Sequence, residues 1–319
     1  MLLLLQYTLI FASVLLLVAL GGCFSEHSGV INIGLEGIMV MGALGGALMM
    51  KFLPAGTSAF VVVLLTVLAS ILLGMIYSLL LAVAAVNFKA DQTLVGTAMN
   101  LLGTAAATVF VKAMNTAADP DNVSSTIQYL DGRKAFLVNI GGFEFNWCML
   151  LAVIALVIAY VVLYKTRFGL RLRSCGENPQ AADSLGINVY KMRYAGTTIS
   201  GALAGMGGFV YALTTANCTS NGDVAGFGFL ALAVMIFGNW KPLNIAGGAL
   251  LFGLFKCIAA AYTSIDINGD GVFLLAELGI SANFYRMLPY LITLIVLAFT
   301  SKSSRAPKAE GIPYDKAKR

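Results

Sequence analysis

The chain has 319 residues, 59% of them hydrophobic and 11% charged, with a net charge of +5. Soluble domains carry about a quarter charged residues, so this balance excludes a single water-soluble core and makes lipid the solvent for most of the chain. The modest positive charge sits in two stretches and gives no basis for nucleic-acid binding, and five scattered cysteines without a CxxC argue against a disulfide framework or a zinc site.

Apolar runs of near-spanning length fall at 3–23, 30–50, 59–86, 93–113, 148–164, 194–215, 227–239, 244–263 and 285–301. A helix needs about 20 residues to cross the hydrocarbon, so the runs predict an all-α polytopic membrane protein of about nine apolar segments, roughly eight to ten transmembrane helices, some broken or re-entrant. Met1 leads straight into the first run with no basic n-region, which reads as a retained span and not a signal peptide. In the second run, Gly34–Leu35–Glu36–Gly37 permits a break where protein covers the backbone. If 30–50 crosses fully the N-terminus is outside; if it re-enters, the N-terminus is inside. Run 227–239 is the weakest and reads as broken or as borrowing flanking residues.

Polar groups within these runs are few. Glu36 is the carboxylate expected inside the membrane, where such groups are expensive and usually functional. The structural alternative, which we prefer, is a helix-start residue favoured by the local dipole, with Asn32 as cap; Asn32 and Glu36 remain pore candidates. Thr97, Asn100, Thr104 and Thr108 follow 3–4-residue spacing and share one helix face. That face reads either as a path for a neutral, hydroxyl-rich solute or as a helix–helix seam, the seam being preferred. Gly42-x-x-x-Gly46 and Gly201-x-x-x-Gly205 read as close helix contacts. His27, the only histidine, reads as interfacial.

Lysine and arginine set the orientation. The loop 165–193 carries Lys165, Arg167, Arg171, Arg173, Lys191 and Arg193, and the tail 302–319 carries Lys302, Arg305, Lys308, Lys316, Lys318 and Arg319. Both are expected in the cytoplasm, whereas the acidic loops 114–147 and 264–283 are expected outside. The membrane domain then covers 1–301, and the basic tail, read as irregular, follows it.

Within the long cytoplasmic loop, Asn178 can cap a short helix, Pro179 suits its first position, and Gly186 suits its end. With Ala181 and Ala182 on it, such a helix can enter a groove on a partner; an ordinary positive-inside loop explains the basic residues but not the capped helix. In the last outer loop, DINGDGVFLLAE (Asp266–Glu277) matches the calcium-loop pattern. Asp266, Asn268, Asp270 and Glu277 are its candidate ligands, against the alternative of an acidic turn. Apart from this candidate calcium ion, the chain is expected to bind no cofactor.

The segment GENPQAADSLGINV (Gly176–Val189) resembles the coupling-helix loop of ABC importer permeases of the branched-chain amino acid, ribose and nucleoside group. SEHSGVINIGLEGIMVMGA (Ser25–Ala43), SGALAGMGG (Ser200–Gly208), FGNWKP (Phe237–Pro242), MLPYLITLIVLA (Met287–Ala298) and PKAEGIPYDKAKR (Pro307–Arg319) are similar, in order, to its nucleoside-type, simple-sugar-like branch. The resemblance implies a non-catalytic permease subunit in a prokaryotic cytoplasmic membrane. Its partners would be a second permease subunit (identical or homologous), cytoplasmic ATP-binding subunits and an extracytoplasmic binding lipoprotein. By position, Glu177, Asn178, Pro179, Ala181, Ala182, Leu185 and Gly186 would form the ATPase contact. The chain has no G-x-x-x-x-G-K-[ST] for ATP. A nucleoside is the implied solute, with a simple sugar or riboflavin as the alternative. A self-contained secondary transporter would need its own coupling-ion site, for which Glu36 is the one candidate.

Overall fold

The computed structural model describes the chain except residues 1, 55, 129–134, 141–142, 217–218, 264–279, 301–304 and 317–319. The calcium-loop pattern Asp266–Glu277 therefore lies outside the described residues. Among those described, no group of three or more His, Cys, Asp or Glu side chains is placed to hold a metal ion.

The fold is helical: α1 (Leu2–His27), α2 (Leu35–Phe52), α3 (Ala59–Val86), α4 (Gln92–Ala118), α5 (Trp147–Lys165), α6 (Arg167–Glu177), α7 (Pro179–Ser184), α8 (Val189–Thr214), α9 (Phe227–Phe237), α10 (Pro242–Ala261) and α11 (Ala282–Thr300). Short strands β1 (Ile127–Gln128) and β4 (Thr219–Ser220) pair antiparallel, as do β2 (Leu137–Ile140) and β3 (Phe143–Asn146). By length and composition, α1 to α5 and α10 are six helices able to cross a membrane. Helices α8 and α11, of 26 and 19 residues, are also of spanning length, whereas α9 has 11 residues and is too short to cross.

Helix α1 is apolar all round and lies at the centre, its most apolar window 94% buried. Around it, α2, α3 and α8 pack through glycine because lipid supplies no hydrophobic drive between helices. A Cβ on Gly42 would lie 2.2 Å from the Gly205 carbonyl oxygen, and one on Gly74 would lie 2.4 Å from that of Gly201. Conversely, Phe60, Leu64, Leu68, Leu72, Ile76 and Leu80 are exposed along α3 and form an apolar stripe that, at i, i+4 spacing, winds around the helix as an inclined ridge.

The basic loop and the tail share one face of the bundle, the basic face. Helix α1 ends there: His27 Nε2 lies 3.0 Å from the Trp240 carbonyl oxygen. Its beginning lies at the far end of α10, where Cys257 Sγ donates to the Leu4 carbonyl at 3.7 Å. The start of α1 and the tail thus lie on opposite faces.

Between α1 and α2 the chain is not helical until Leu35. Irregular backbone at this depth must be satisfied by protein, and α4 and α8 supply the groups. Gln92 Oε1 accepts from Ile31 N at 2.7 Å, Asn100 Nδ2 donates to Ile33 O at 3.0 Å, and Asn100 Oδ1 accepts from Gly37 N at 2.8 Å. Asn32 Nδ2 donates to Ser200 Oγ at 2.9 Å.

Candidate functional site

A cavity of about 720 Å³ opens among the ends of α1, α8, α10 and α11 on the face opposite the basic one. This volume is within the roughly 300–1,000 Å³ usual for small-molecule sites. Its walls carry Tyr7, Phe11, Tyr211 and Tyr290, with Thr214 and Thr215 at the end of α8. Phe227, the first residue of α9, also lines it and packs on Tyr211 at 5.0 Å between ring centroids. The Lys256 ammonium sits 4.6 Å from the Phe227 ring centroid and 5.5 Å from that of Tyr290. Such placement over ring faces stabilises a cation. Arg286 lines the same cavity, so its charged lining is cationic.

Directly beyond Phe227, the start of α9 meets the start of α2. The Glu36 carboxylate accepts from Gly226 N at 2.8 Å and from Gly228 N at 2.6 Å. Gly226 adopts φ +74, and a Cβ on Gly228 would lie 2.5 Å from Glu36 N, so only glycine suits this approach. An anion between two helix N-termini satisfies orphan donors and complements both dipoles. Helix α9 then runs to the basic face and ends in the Asn239–Trp240 turn. Asn239 and Trp240 both adopt positive φ, 53 and 55, a conformation costing about 1–2 kcal/mol per non-glycine residue. The turn is gripped by α1: Trp240 Nε1 donates to Glu26 Oε2 at 2.5 Å, and Cys23 Sγ donates to the Trp240 carbonyl at 3.3 Å.

On the basic face, three helices follow one another, each started by a side-chain cap. Thr166 Oγ1 accepts from Gly169 N at 3.1 Å, Asn178 Oδ1 from Ala181 N at 3.0 Å, and Asn188 Oδ1 from Lys191 N at 2.9 Å. Helix α7 closes with Gly186 at φ +79, with Gly186 N donating to Asp183 O at 2.9 Å and Ile187 N to Ala182 O at 3.1 Å. These are the two bonds of a Schellman end. Glu177, Asn178, Ala181, Leu185 and Gly186 face solvent, with Leu185 82% exposed, and Pro179 is half-buried. Ala182 points the other way: it is 2% exposed and packs with Cys175, Val189 and Tyr314.

The remaining sequence candidates do not gather at the cavity. Asn32 and Asn100 are buried in the stitching of the 31–37 segment. Thr97 is exposed, its hydroxyl donating to Thr93 O at 2.9 Å within α4, and Thr104 is exposed too. Glu36 lies one residue layer beneath the cavity through its bonds to α9. The cavity residues Lys256, Phe227, Tyr211 and Tyr290 were not singled out by the sequence reading. Lys256, a lone cation within the apolar run 244–263, was the available signal.

Comparison with known proteins gives a match over residues 4–297 to the family described as branched-chain amino acid transport system / permease component. The chain is 39% identical over 317 residues to the guanosine ABC transporter permease protein NupQ of Bacillus subtilis, covering 98% of this chain and 96% of that one. It is 40% identical over 316 residues to the nucleoside ABC transporter permease protein NupC of Lactococcus lactis subsp. cremoris, covering 97% and 96%. A putative glucose ABC transporter permease protein, TsgC13 of Haloferax volcanii, is 30% identical over 305 residues, covering 93% and 91%.

Proposed function

Because the chain belongs to the family of branched-chain amino acid transport permease components, we propose that it forms the translocation path of a nucleoside ABC importer, with the basic face in the cytoplasm. The observation that carries this reading is the alignment of three features along the bundle. An aromatic-walled cavity opens on one face, the half-length helix α9 starts at its floor, and a capped, exposed helix, α7, projects from the other face. Aromatic rings offer stacking to a nucleobase, and threonine and tyrosine hydroxyls offer hydrogen bonds to a ribose. The basic loop and tail support a cytoplasmic α7 and C-terminus by the positive-inside rule, and with them an outer start of α1.

In this reading, cytoplasmic ATPase subunits dock on α7 and an extracytoplasmic binding protein delivers the nucleoside at the cavity mouth. A second permease subunit covers part of the apolar stripe on α3. Calcium at Asp266, Asn268, Asp270 and Glu277 would stiffen the outer loop before α11. The names of the two most similar relatives quoted above support a nucleoside; that of the third keeps a simple sugar as the alternative, with riboflavin beside it.

The test is uptake of a labelled nucleoside panel by cells carrying the complete transport system, with and without this chain. Loss of uptake on deletion, restored by the gene, supports the reading. Nucleoside uptake that is active in the complete system yet unaffected by deletion overturns it, and the same panel extended to ribose, galactose and riboflavin then identifies the solute class.

A further inference from the structure

The tail is irregular, without helix or strand over its described residues 305–316. Residues 305–315 cross the basic face and join several of the elements that meet there. Arg305 N donates to Asn239 Oδ1 at 2.8 Å, in the turn that ends α9. Ala309 N donates to the Gly176 carbonyl at 2.8 Å, at the end of α6. The Ile312 carbonyl accepts from Arg193 Nη2 at 2.9 Å, in the first turns of α8. A Cβ on Gly311 would lie 2.7 Å from Ile31 Cδ1, in the segment between α1 and α2. Asp315 pairs with Lys89 of the α3–α4 turn at 3.0 Å.

The closest engagement is under α7. Tyr314 is 5% exposed and completes a small core with Cys175, Ala182 and Val189, its ring edge-on to Tyr190 at 5.4 Å. That core is separate from the main one, and Ala182 is the residue through which α7 joins it. A surface helix of six residues has little stability of its own, so its position is set by what packs beneath it.

We propose that residues 305–315 are a strap that positions α7 and ties it to the Asn239–Trp240 turn, so that displacement of α7 is passed to the half-helix α9. Two routes then lead from α7 to α9. One passes through α8 in the bundle. The other passes along the strap, from Tyr314 beneath α7 to Arg305 on Asn239. Within the strap, Glu310 N donates to Pro307 O at 3.1 Å and Ile312 N to Ala309 O at 3.3 Å, turns that brace the segment between its two anchors. The strap touches neither cavity nor solute and acts only through α7 and α9. This inference rests on the ATP-driven reading given above.

The test is the ratio of nucleoside taken up to ATP hydrolysed by the reconstituted complex, for the unmodified chain and for Tyr314→Ala, Tyr314→Phe and Asp315→Lys. Tyr314→Ala empties the core under α7. Tyr314→Phe keeps the ring and serves as the conservative control. Asp315→Lys sets two cations against each other on the face without touching a core. The expected result is a complex of normal composition that hydrolyses ATP but takes up at least about threefold less nucleoside per ATP with Tyr314→Ala, and a smaller loss in the same direction with Asp315→Lys. Tyr314→Phe is expected to keep the unmodified ratio. Unchanged ratios in both disruptive variants overturn the strap, and so does a fall in uptake matched by an equal fall in hydrolysis. Should Tyr314→Ala fail to assemble, Asp315→Lys decides: a lowered ratio supports the strap and an unchanged ratio overturns it. If the unmodified chain recruits no ATPase at all, the functional reading falls, an outcome distinct from the strap alone failing.

Discussion

The Glu36 carboxylate and the Gly228 backbone N–H meet at 2.6 Å, joining the first turns of two helices 192 residues apart in the chain. Gly226 N, at 2.8 Å, takes the other carboxylate oxygen. A membrane offers no water to the free donors at a helix start, and α9 starts within the bundle without a side-chain cap of its own. Glu36 supplies the acceptors that α9 lacks, and in doing so fixes where the half-helix begins beneath the cavity.

Replacing Glu36 with Ala is therefore expected to destabilise the fold around α9 by about 1–3 kcal/mol for each donor left unpaired. Uptake should fall with it. Glu36→Gln keeps one acceptor oxygen and should lie between. Thermal unfolding of the purified protein in detergent reads the stability. If Glu36→Ala unfolds at the same temperature as the unmodified chain, the capping role is wrong.

Close glycine contacts between α2, α3 and α8 make a sharper contrast. A Cβ on Gly42 would lie 2.2 Å from the Gly205 carbonyl oxygen, whereas one on Gly247 of α10 would meet nothing within 4 Å. Backbone cannot yield as a side-chain end can, so Gly42→Val is expected to cost at least the roughly 1–3 kcal/mol typical of overpacking. Gly247→Ala should be neutral or slightly favourable, alanine being the better helix former. Equal yields of folded protein for both variants would contradict the packing described for α2 against α8.

Local signals were the legible ones. Asn178, Pro179 and Gly186 mark the start and end of α7 because caps act within four residues, and the helix forms between them as read. The side of α7 on which Ala182 lies depends on Tyr314, some 130 residues downstream, and neither periodicity nor composition reports that. Thr97, Asn100 and Thr104 share a spacing, but α4 packs through Gly96, Met99, Gly103 and Ala107, which places Asn100 at the edge of the buried face and leaves the threonines exposed. Small residues, not hydroxyls, decide which face of a membrane helix packs. Lys256 was passed over because its run reads as uniformly apolar; its ring partners come from α9 and α11.

Glu310 gives the strap a pH dependence. Its side chain is half-buried, with Oε2 inaccessible and without a hydrogen-bond partner, and burial raises the carboxyl from its ordinary 4.5 to about 7. Glu26 at the end of α1 is the ionisable group that faces it, and Arg173 lies by the neighbouring His27. The folded state thus holds a proton that the unfolded chain releases near 4.5, and stability falls as pH rises from there to about 7. Glu310→Gln is expected to make the fall in melting temperature between these limits shallower. A profile equally steep in that variant would assign the dependence to another group.

The cavity should set the affinity of the path more than its stability. Lys256→Met keeps the length of the side chain and removes the charge held between Phe227 and Tyr290. Phe227→Ala removes the ring that forms the cavity floor. Both are expected to raise the nucleoside concentration for half-maximal uptake by about tenfold, equivalent to roughly 1.4 kcal/mol. Uptake kinetics at matched protein levels check this, and unchanged kinetics in both would move the path away from the cavity.

The exposed and buried sides of α7 separate docking from folding. Leu185 is 82% exposed and Glu177 also faces solvent, while Ala182 is 2% exposed. Leu185→Arg and Glu177→Arg are expected to leave the chain folded and to prevent the ATPase from co-purifying: the first replaces an exposed apolar anchor by a charge, a loss of typically about 2 kcal/mol or more at a central contact, and the second reverses a charge on the same exposed side. Ala182→Trp acts on the other side: an indole has no room against Cys175, Val189 and Tyr314, so it should displace α7 and the strap together and lower the yield of folded protein. Co-purification of the ATPase at normal yield with both Arg variants would place the docking surface elsewhere on the basic face. A fully stable Ala182→Trp would contradict the small core under α7.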